Sequence, residues 1–154
     1  MKVNNKLIER MPVITASGVE TPTVNIANDY GDTKLALYFR NGYNYTDYFE
    51  VSDNSIKIKS DNVKKVIVSG QCMCSRGSNS YVSLYIRHNN NSIAYARHQW
   101  IDWYGESLVT APIVVDVSKN DTFELYFGSS KAGNYILNYG SKATVLTIQA
   151  IEIE

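Results

Sequence analysis

A segment at residues 98–106 concentrates the side chains that are best suited to recognising a ligand. It reads HQWIDWYGE, with two tryptophans, one tyrosine and two acids. Flat aromatic rings stack on the apolar faces of sugar rings, while Asp, Gln and His bond the hydroxyls, and Trp and Tyr are favoured contacts at protein interfaces. The segment therefore predicts a contact with a glycan or a receptor. The predicted contact residues are His98, Trp100, Asp102, Trp103 and Tyr104.

The same residues also fit a structural role. Trp100 and Trp103 could cap one end of the folded domain or wedge between two copies of the chain. A second aromatic cluster at residues 43–49, YNYTDYF, could line a groove between subunits or seal the edge of the fold, and we favour sealing. Both interpretations of the tryptophan segment stay open at this point.

The residues that hydrolytic catalysis requires are almost absent. His88 and His98 are the only histidines, and neither lies near a nucleophile-elbow motif. The chain has no glycine-rich phosphate loop and no His-Glu-x-x-His pair. Asp102 and Glu106 resemble a pair of glycosidase carboxylates, but acids are common in loops. The sequence therefore predicts a protein that is not an enzyme and that uses no cofactor.

The cysteines do not indicate a disulfide or a metal site. Cys72 and Cys74 are the only two, and they lie within one strand-like run. Both point to the same face with about 7 Å between them, which is beyond comfortable disulfide geometry. A zinc site would need two more soft ligands, and only the histidines are available. We predict buried apolar thiols and no metal.

Length and composition indicate one folded domain without a polyanionic partner. The 154 residues are 44% hydrophobic and 19% charged, and fifteen basic residues balance fifteen acidic ones. A net charge of zero leaves no electrostatic footprint for nucleic acid or an anionic membrane. No apolar run is long enough to span a membrane, and the first residues lack a secretory signal. Twelve tyrosines and few charges suggest a protein that meets a partner through its surface.

Period-2 alternation of apolar and polar residues predicts an all-β fold. Phe123, Leu125 and Phe127 alternate with polar or amphipathic residues, which indicates a strand with one buried face. Similar runs are separated by short turns rich in Asn, Asp, Ser and Gly. About ten strands at this spacing point to a two-sheet sandwich or jelly roll. The predicted strands are residues 13–16, 34–39, 48–51, 56–59, 64–75, 81–88, 93–99, 107–117, 122–128 and 144–153.

Two of these strands are apolar on both faces. In 107–117 one side carries Val109, Ala111, Ile113, Val115 and Val117, and the other carries Leu108, Pro112 and Val114. In the last strand Leu146, Ile148 and Ala150 oppose Val145, Ile151 and Ile153. A two-sheet sandwich covers only one face of each strand, so a second cover is needed. We favour another copy of the chain over a loop formed by residues 1–40. The predicted subunit contacts are Leu108, Val114, Val145, Ile151 and Ile153.

Several segments resemble a known family. They are YFEVSDNSIKIKSDNVKKVIVSGQ at 48–71, LYIRHNNNSIA at 84–94, DVSKNDTFELYF at 116–127 and TVLTIQAIEI at 144–153. These segments resemble the jelly-roll domains of the complement globular head and tumour necrosis factor (TNF) superfamily. The resemblance is closer still to the bacteriophage versions in fibre, neck and head-appendage proteins. It implies a single jelly-roll domain at 13–154 after a short N-terminal extension at 1–12.

The resemblance also implies an assembly. In that family an inner and an outer sheet stack, three protomers pack around an axis, and ligands are met at the apex, between protomers or on outer loops. A homotrimer would supply the missing cover for the two-faced strands. The chain departs from the family at its front, because no collagen-like repeat precedes the domain.

We therefore expect a non-enzymatic structural and adhesion module of a phage virion, made in the bacterial cytoplasm. It would form a homotrimer, contact other virion proteins and bind a host cell-surface glycan or receptor, without nucleic acid and without membrane insertion. Two alternatives stay open. One is a purely architectural capsid decoration protein, and the other is a monomeric carbohydrate-binding β-sandwich.

Overall fold

The computed structural model describes residues 12–18, 23–39, 47–52, 54–76, 80–99, 106–137 and 144–154. These ranges contain strands and no helix. None of the described residues builds a helix with the length and apolar character needed to cross a membrane. The strands are β1 (Val13–Gly18), β2 (Thr23–Ile26), β3 (Asp32–Lys34), β4 (Leu37–Phe39), β5 (Phe49–Ser52), β6 (Ser55–Ile58), β7 (Val63–Arg76), β8 (Tyr81–His88), β9 (Asn91–Gln99), β10 (Glu106–Val109), β11 (Ile113–Asp116), β12 (Thr122–Ser129), β13 (Gly133–Leu137) and β14 (Val145–Ile153).

The strands form two antiparallel sheets. Sheet A has eight strands in the order β2-β13-β7-β14-β1-β4, with β10 and β11 also paired to β7. Sheet B has six strands in the order β5-β6-β12-β8-β9, with β3 paired to β12. The prediction of an all-β fold with two sheets is therefore confirmed.

The core lies between the two sheets and follows the alternation seen in the sequence. Phe123 and Phe127 of β12 are fully buried, as are Leu146 and Ile148 of β14. Each large apolar side chain that is fully buried stabilises the fold by roughly 1.5–3 kcal/mol relative to exposure. The sheets approach closely at Gly70 of β7, where an added Cβ would lie 2.7 Å from Leu125 Cδ1.

The predicted turns occur where asparagine adopts a left-handed backbone. Asn54, Asn89, Asn90 and Asn120 have φ angles of 60°, 49°, 68° and 73°. Asparagine tolerates this conformation better than other residues with a Cβ. Asn89 and Asn90 join β8 to β9, and two consecutive positive φ angles are the pattern of a tight hairpin turn.

Two features of the strand assignment differ from the prediction. Strands β2 and β13 are absent from the predicted strands, yet they pair with each other, with Gly133 opposite Ile26 and Ile136 opposite Thr23. The predicted strand at 34–39 is divided between β3 in sheet B and β4 in sheet A. The described residues of 12–39 therefore contribute paired strands, and these strands do not lie as a loop across an outer face.

The predicted strand at 107–117 is two strands separated by a bulge. Val109 of β10 pairs with Gln71, and Ile113 of β11 pairs with Val68. Three residues between them therefore oppose two residues of β7. One extra residue reverses which side chains face the core, because side chains alternate along a strand. Val109 and Val114 are consequently both exposed, at 60% and 58%.

This reversal corrects one of the predicted subunit contacts, Leu108. Leu108 is only 2% exposed within the single chain, because it precedes the bulge and faces the core. It is therefore not available to another copy. Ile153 follows a register irregularity near the end of β14, is partly exposed and packs partly against the core, so its role as a subunit contact stays a prediction.

Thr110 fastens the bulge to β7. The Gly70 amide donates a hydrogen bond to Thr110 Oγ1 at 2.9 Å, and the Thr110 amide donates to the Gly70 carbonyl at 2.9 Å. Thr110 is 1% exposed, so the hydroxyl satisfies a backbone amide that water does not reach. The side chain thus replaces the ladder bond that the bulge interrupts.

We expect Thr110→Val to lower the free energy of unfolding by about 1–3 kcal/mol, because it leaves the buried Gly70 amide unpaired at constant side-chain shape. Urea denaturation at one protein concentration measures the change. Thr23→Val is the control, since Thr23 is exposed on β2 and its change should stay within about 0.5 kcal/mol. Equal losses in the two variants would show that Thr110 has no special role.

Candidate functional site

Of the five side chains predicted to contact a ligand, His98 lies within the described residues. It is exposed and lies near the end of β9. Trp100, Asp102, Trp103 and Tyr104 lie outside the described residues, so their contacts stay predictions.

Two neighbouring depressions open beside His98, where β8 begins and β9 ends. The first has a volume of about 360 Å³ and is lined by Tyr81, Arg97, His98 and Gln99. The second has a volume of about 300 Å³ and is lined by Asp29, Tyr30, Ser80, Tyr81, Gln99, Ser130 and Lys131. Because both include Tyr81 and Gln99, they form one groove, which we call the Tyr81 groove. Each volume is at the lower end of the range for small-ligand sites, about 300–1,000 Å³.

Tyr81 is held in place by hydrogen bonds of its backbone and by a contact of Arg97 with its ring. It lies opposite Gln99 in the pairing of β8 with β9. Its amide donates to Ser130 Oγ at 3.0 Å, and its carbonyl accepts from the Ser130 amide at 2.9 Å. The guanidinium of Arg97 lies over the Tyr81 ring, 4.3 Å from the centroid, in a cation–π contact. The ring nevertheless remains 44% exposed.

A buried cluster of hydroxyls lies next to the groove. Ser129 Oγ and the Tyr135 hydroxyl are 2.6 Å apart, and Ser80 Oγ lies within 3.0 Å and 3.1 Å of them. The Tyr135 hydroxyl also donates to the Lys131 carbonyl at 2.9 Å. Because Tyr135 is fully buried, these bonds fix the backbone that carries Lys131 to the core.

The turn at 28–31 completes the groove. Tyr30 has a φ of 60° and is 82% exposed. The Gly31 amide donates to the Asn28 carbonyl at 3.0 Å, which closes the turn, and Asp29 Oδ1 accepts from the Ala132 amide at 2.8 Å. The turn is therefore tied to the segment after β12, and an aromatic ring is presented to solvent from a fixed backbone.

Only part of this groove is indicated by the sequence. His98 and Gln99 belong to the aromatic segment that predicts ligand contact, whereas Tyr30, Tyr81 and Lys131 come from three other parts of the chain. The signal available in the sequence was Tyr30, an aromatic residue within the turn-forming sequence NDYG at 28–31. Nothing in the sequence alone places that turn beside the end of β9.

His88 is engaged in a structural network with other described side chains. Its Nε2 lies 2.9 Å from Asp121 Oδ2, and its ring stacks on Phe123 with centroids 4.7 Å apart. Asp121 also accepts hydrogen bonds from Asn89 Nδ2 at 2.8 Å and from the Ser118 amide at 2.9 Å. Among the described residues, no hydroxyl or thiol bonds to His88. The network joins the β8–β9 turn to the β11–β12 turn.

The cysteines are apolar core residues, as predicted. Cys72 and Cys74 form no disulfide and are buried on the inner side of β7. Burial is the larger cause that raises the pKa of the Cys72 thiol far above its ordinary value, and the nearby Cys74 raises it further. A buried neutral thiol is a poor nucleophile and a poor metal ligand. The described part of the chain brings together no group of three or more His, Cys, Asp or Glu side chains that could hold a metal.

The side of sheet A that faces away from the core carries three successive rows of uncharged side chains. The first row consists of Tyr38, Ser17, Val145, Gln71 and Val109. The second row consists of Thr15, Thr147 and Ser69. The third row consists of Val13, Gln149, Ile67 and Val114. We call these rows the uncharged face.

The predicted subunit contacts Val114 and Val145 belong to this face, and Ile151 is partly exposed where the register of β14 shifts. Among the described side chains, charge begins beyond the third row, where Lys65 Nζ lies 3.5 Å from Asp116 and 3.2 Å from Glu152. Depletion of charge is typical of the central part of a protein interface.

The outer side of sheet B is built differently. Arg87 forms a 2.6 Å ion pair with Asp32 and lies 3.9 Å from the centroid of the Tyr126 ring. Lys34 forms an ion pair with Glu124, whose other oxygen accepts a hydrogen bond from the Tyr126 hydroxyl at 3.2 Å. This side therefore carries charged side chains that pair with one another beside exposed Tyr95, whereas the uncharged face carries none.

We expect Asp121→Asn to destabilise the protein by about 1–3 kcal/mol at neutral pH, because Asn cannot accept all three hydrogen bonds. Burial opposes ionisation of Asp121, but hydrogen bonds from Asn89, Ser118 and His88 outweigh it and lower the folded-state pKa. Its stabilisation is therefore complete above the unfolded pKa of about 4 and is lost as pH falls through the folded pKa.

The difference in unfolding free energy between the wild type and Asp121→Asn should accordingly narrow on acidification, which urea titrations at several pH values will measure. Asp61→Asn serves as control, because Asp61 pairs with Lys119 at 72% exposure and such pairs contribute little. A difference that widens below pH 4 would contradict the expected direction.

Comparison with known proteins shows the fold. No family model matches the chain, and no curated protein matches it. A crystal structure of murine APRIL at pH 5.0 matches with a TM-score of 0.63 and 10% identity, over 92% of this chain and 100% of that one. The structure of Eiger TNF from S. frugiperda matches with a TM-score of 0.63 and 8% identity, over 95% and 96% of the two chains. Neither match supports the bacteriophage type in particular. The chain folds as a jelly roll of the TNF type.

Proposed function

We propose that this protein is a non-enzymatic adhesion module that works as a homotrimer assembled through the uncharged face. The observation that carries the proposal is the run of three rows across sheet A in which no side chain is ionised. Exposed Val109 and Val114 lie at the far edge of these rows, and such apolar side chains gain from burial against another copy.

The contrast between the two sheets supports this assignment. Both outer sides belong to one chain of zero net charge, yet sheet B carries the ion pairs Asp32–Arg87 and Lys34–Glu124. A face that remained in water would have no need to exclude charge. The TNF-type fold adds a second line of support, because the family resemblance implies packing of three protomers around an axis.

Association through sheet A would leave the Tyr81 groove for a ligand. Its lining residues belong to β8, β9 and two turns, and none of them is part of the uncharged face. A trimer would thus present three grooves on one rigid body. Three weak sites raise the avidity for a repetitive surface even if each contact is weak.

The segments that resemble bacteriophage fibre, neck and head-appendage domains support a place on a virion. In this proposal the trimer is held by other virion proteins and contacts a glycan or receptor on the host cell. The tryptophan segment at 98–106 and the Tyr81 groove share His98 and Gln99, so a cell-surface ligand would meet both.

Light scattering on a sizing column should give three times the chain mass of 17.3 kDa. The double variant Val114→Lys/Val145→Lys should dissociate into monomers, because it buries like charges close to one another. Tyr95→Lys is the control, since Tyr95 is 70% exposed on sheet B and the variant should remain a trimer. A monomeric wild type, or a double variant that keeps the trimer mass, would contradict the proposed interface.

Fluorescently labelled trimer should bind the surface of susceptible strains in a panel of bacterial cells, and the monomeric double variant should bind much more weakly. The loss should be about 10²-fold or more, because avidity is removed while each groove is intact. A trimer that binds no strain would favour the purely architectural decoration role, and a monomer with sugar affinity would favour the solitary carbohydrate-binding sandwich.

A further inference from the structure

The basic residues of the Tyr81 groove differ from most others in the described part of the chain. Most of the others form ion pairs with carboxylates: Lys34, Lys64, Lys65, Arg87 and Lys119. Arg97 and Lys131, which line the groove, form no ion pair there, and both side chains are exposed. The groove therefore contains two positive charges that the described residues do not neutralise.

Among the described lining residues the one carboxylate, Asp29, does not compensate for them. Asp29 directs Oδ1 to the Ala132 amide at 2.8 Å, and this bond fixes the turn that carries Tyr30. Neither Arg97 nor Lys131 lies within ion-pair distance of it. An anion that entered the groove would therefore meet positive charge without displacing an existing salt bridge.

The geometry of Arg97 suits a planar anion. Its guanidinium carbon lies over the Tyr81 ring, 4.3 Å from the centroid, so the ring contact holds this cation at the groove. The guanidinium N–H groups form a planar fork that binds a carboxylate through two parallel hydrogen bonds. A lysine is a point charge and adds attraction without this directional preference.

The rest of the lining suits a sugar ring. Tyr30 and Tyr81 are 82% and 44% exposed, and tyrosine rings stack on the C–H faces of saccharides. The Gln99 amide can both donate and accept. Ser130 Oγ accepts from the Tyr81 amide and keeps its own proton to donate to a ligand hydroxyl.

We infer that the Tyr81 groove binds an acidic saccharide, with the sugar carboxylate on Arg97 and Lys131 and the ring against Tyr81. This inference rests on the proposed adhesion function and specifies its ligand class. It differs from a general affinity for glycans, because a neutral sugar of the same shape would leave both cations without a partner.

The test uses the assembled wild-type protein and a matched pair of probes, methyl β-glucuronide and methyl β-glucoside, which differ only at C6, a carboxylate in the first and a hydroxymethyl group in the second. Saturation-transfer NMR and chemical-shift titration should show at least about tenfold tighter binding of the glucuronide, since a charge-assisted bidentate contact contributes at least this factor. The difference should shrink at high salt.

Arg97→Gln and Lys131→Gln should each abolish most of the preference for the glucuronide while leaving the oligomer mass unchanged. Lys57→Gln is the matched control, because Lys57 also forms no ion pair among the described residues but lies on β6, outside the groove lining. Tyr81→Ala should weaken the binding of both probes, since it removes the stacking surface.

The outcomes separate this inference from the proposed function. Equal binding of the two probes, or a preference unaffected by Arg97→Gln, would overturn the acidic-sugar assignment while leaving a glycan-binding trimer intact. Binding of an acidic peptide or of inorganic phosphate in preference to both sugars would also overturn it. A trimer that adheres to cells but binds neither probe would overturn the inference alone, whereas a protein that neither trimerises nor adheres would overturn both.

Discussion

Pairing along both edges of β7 is the constraint on which sheet A depends. Gln71 pairs with Val109 on one edge and with Val145 on the other, so β7 lies between β10 and β14 at that point. Each edge of β7 pairs with two shorter strands. On one edge these are β10 and β11, which a bulge separates, and on the other edge they are β13 and β14. A single long strand therefore aligns four shorter ones. The uncharged face extends across that alignment, so its rows exist only while β7 keeps its register.

The two sheets of this sandwich meet their surroundings in different ways. On the outer side of sheet B, polar and aromatic residues alternate with core residues on β12 and β8, and the charges there pair across strands, as Glu124 and Arg87 do with Lys34 and Asp32. On sheet A the same alternation places Ser, Thr, Gln and Val outside. Removing water from an apolar surface with small polar groups costs less free energy than removing it from ion pairs. Sheet A is therefore the side that another protein surface can cover more readily.

Much of the fold could be predicted from the sequence, because strands with strict alternation, such as β8 and β12, reveal their buried side directly. The short strands β2 and β13 could not, since each depends on pairing with a partner more than a hundred residues away. Leu108 was assigned to the wrong side for a related reason, because a bulge is defined by what lies opposite it. The Tyr81 groove is built by four distant segments, and only His98 and Gln99 lie in a motif that composition can identify.

The bulge at residues 110–112 also constrains how this chain can change through evolution. Deletion of one residue there would restore an uninterrupted ladder, and every side chain of β11 would then point to the opposite face of the sheet. Ile113 and Val115 would then emerge on the uncharged face, while Asp116 would be driven into the core. Ala111 and Pro112 are exposed, so their identities can drift freely. Natural relatives should accordingly vary in composition across this bulge but preserve its length, with indels confined to other connections.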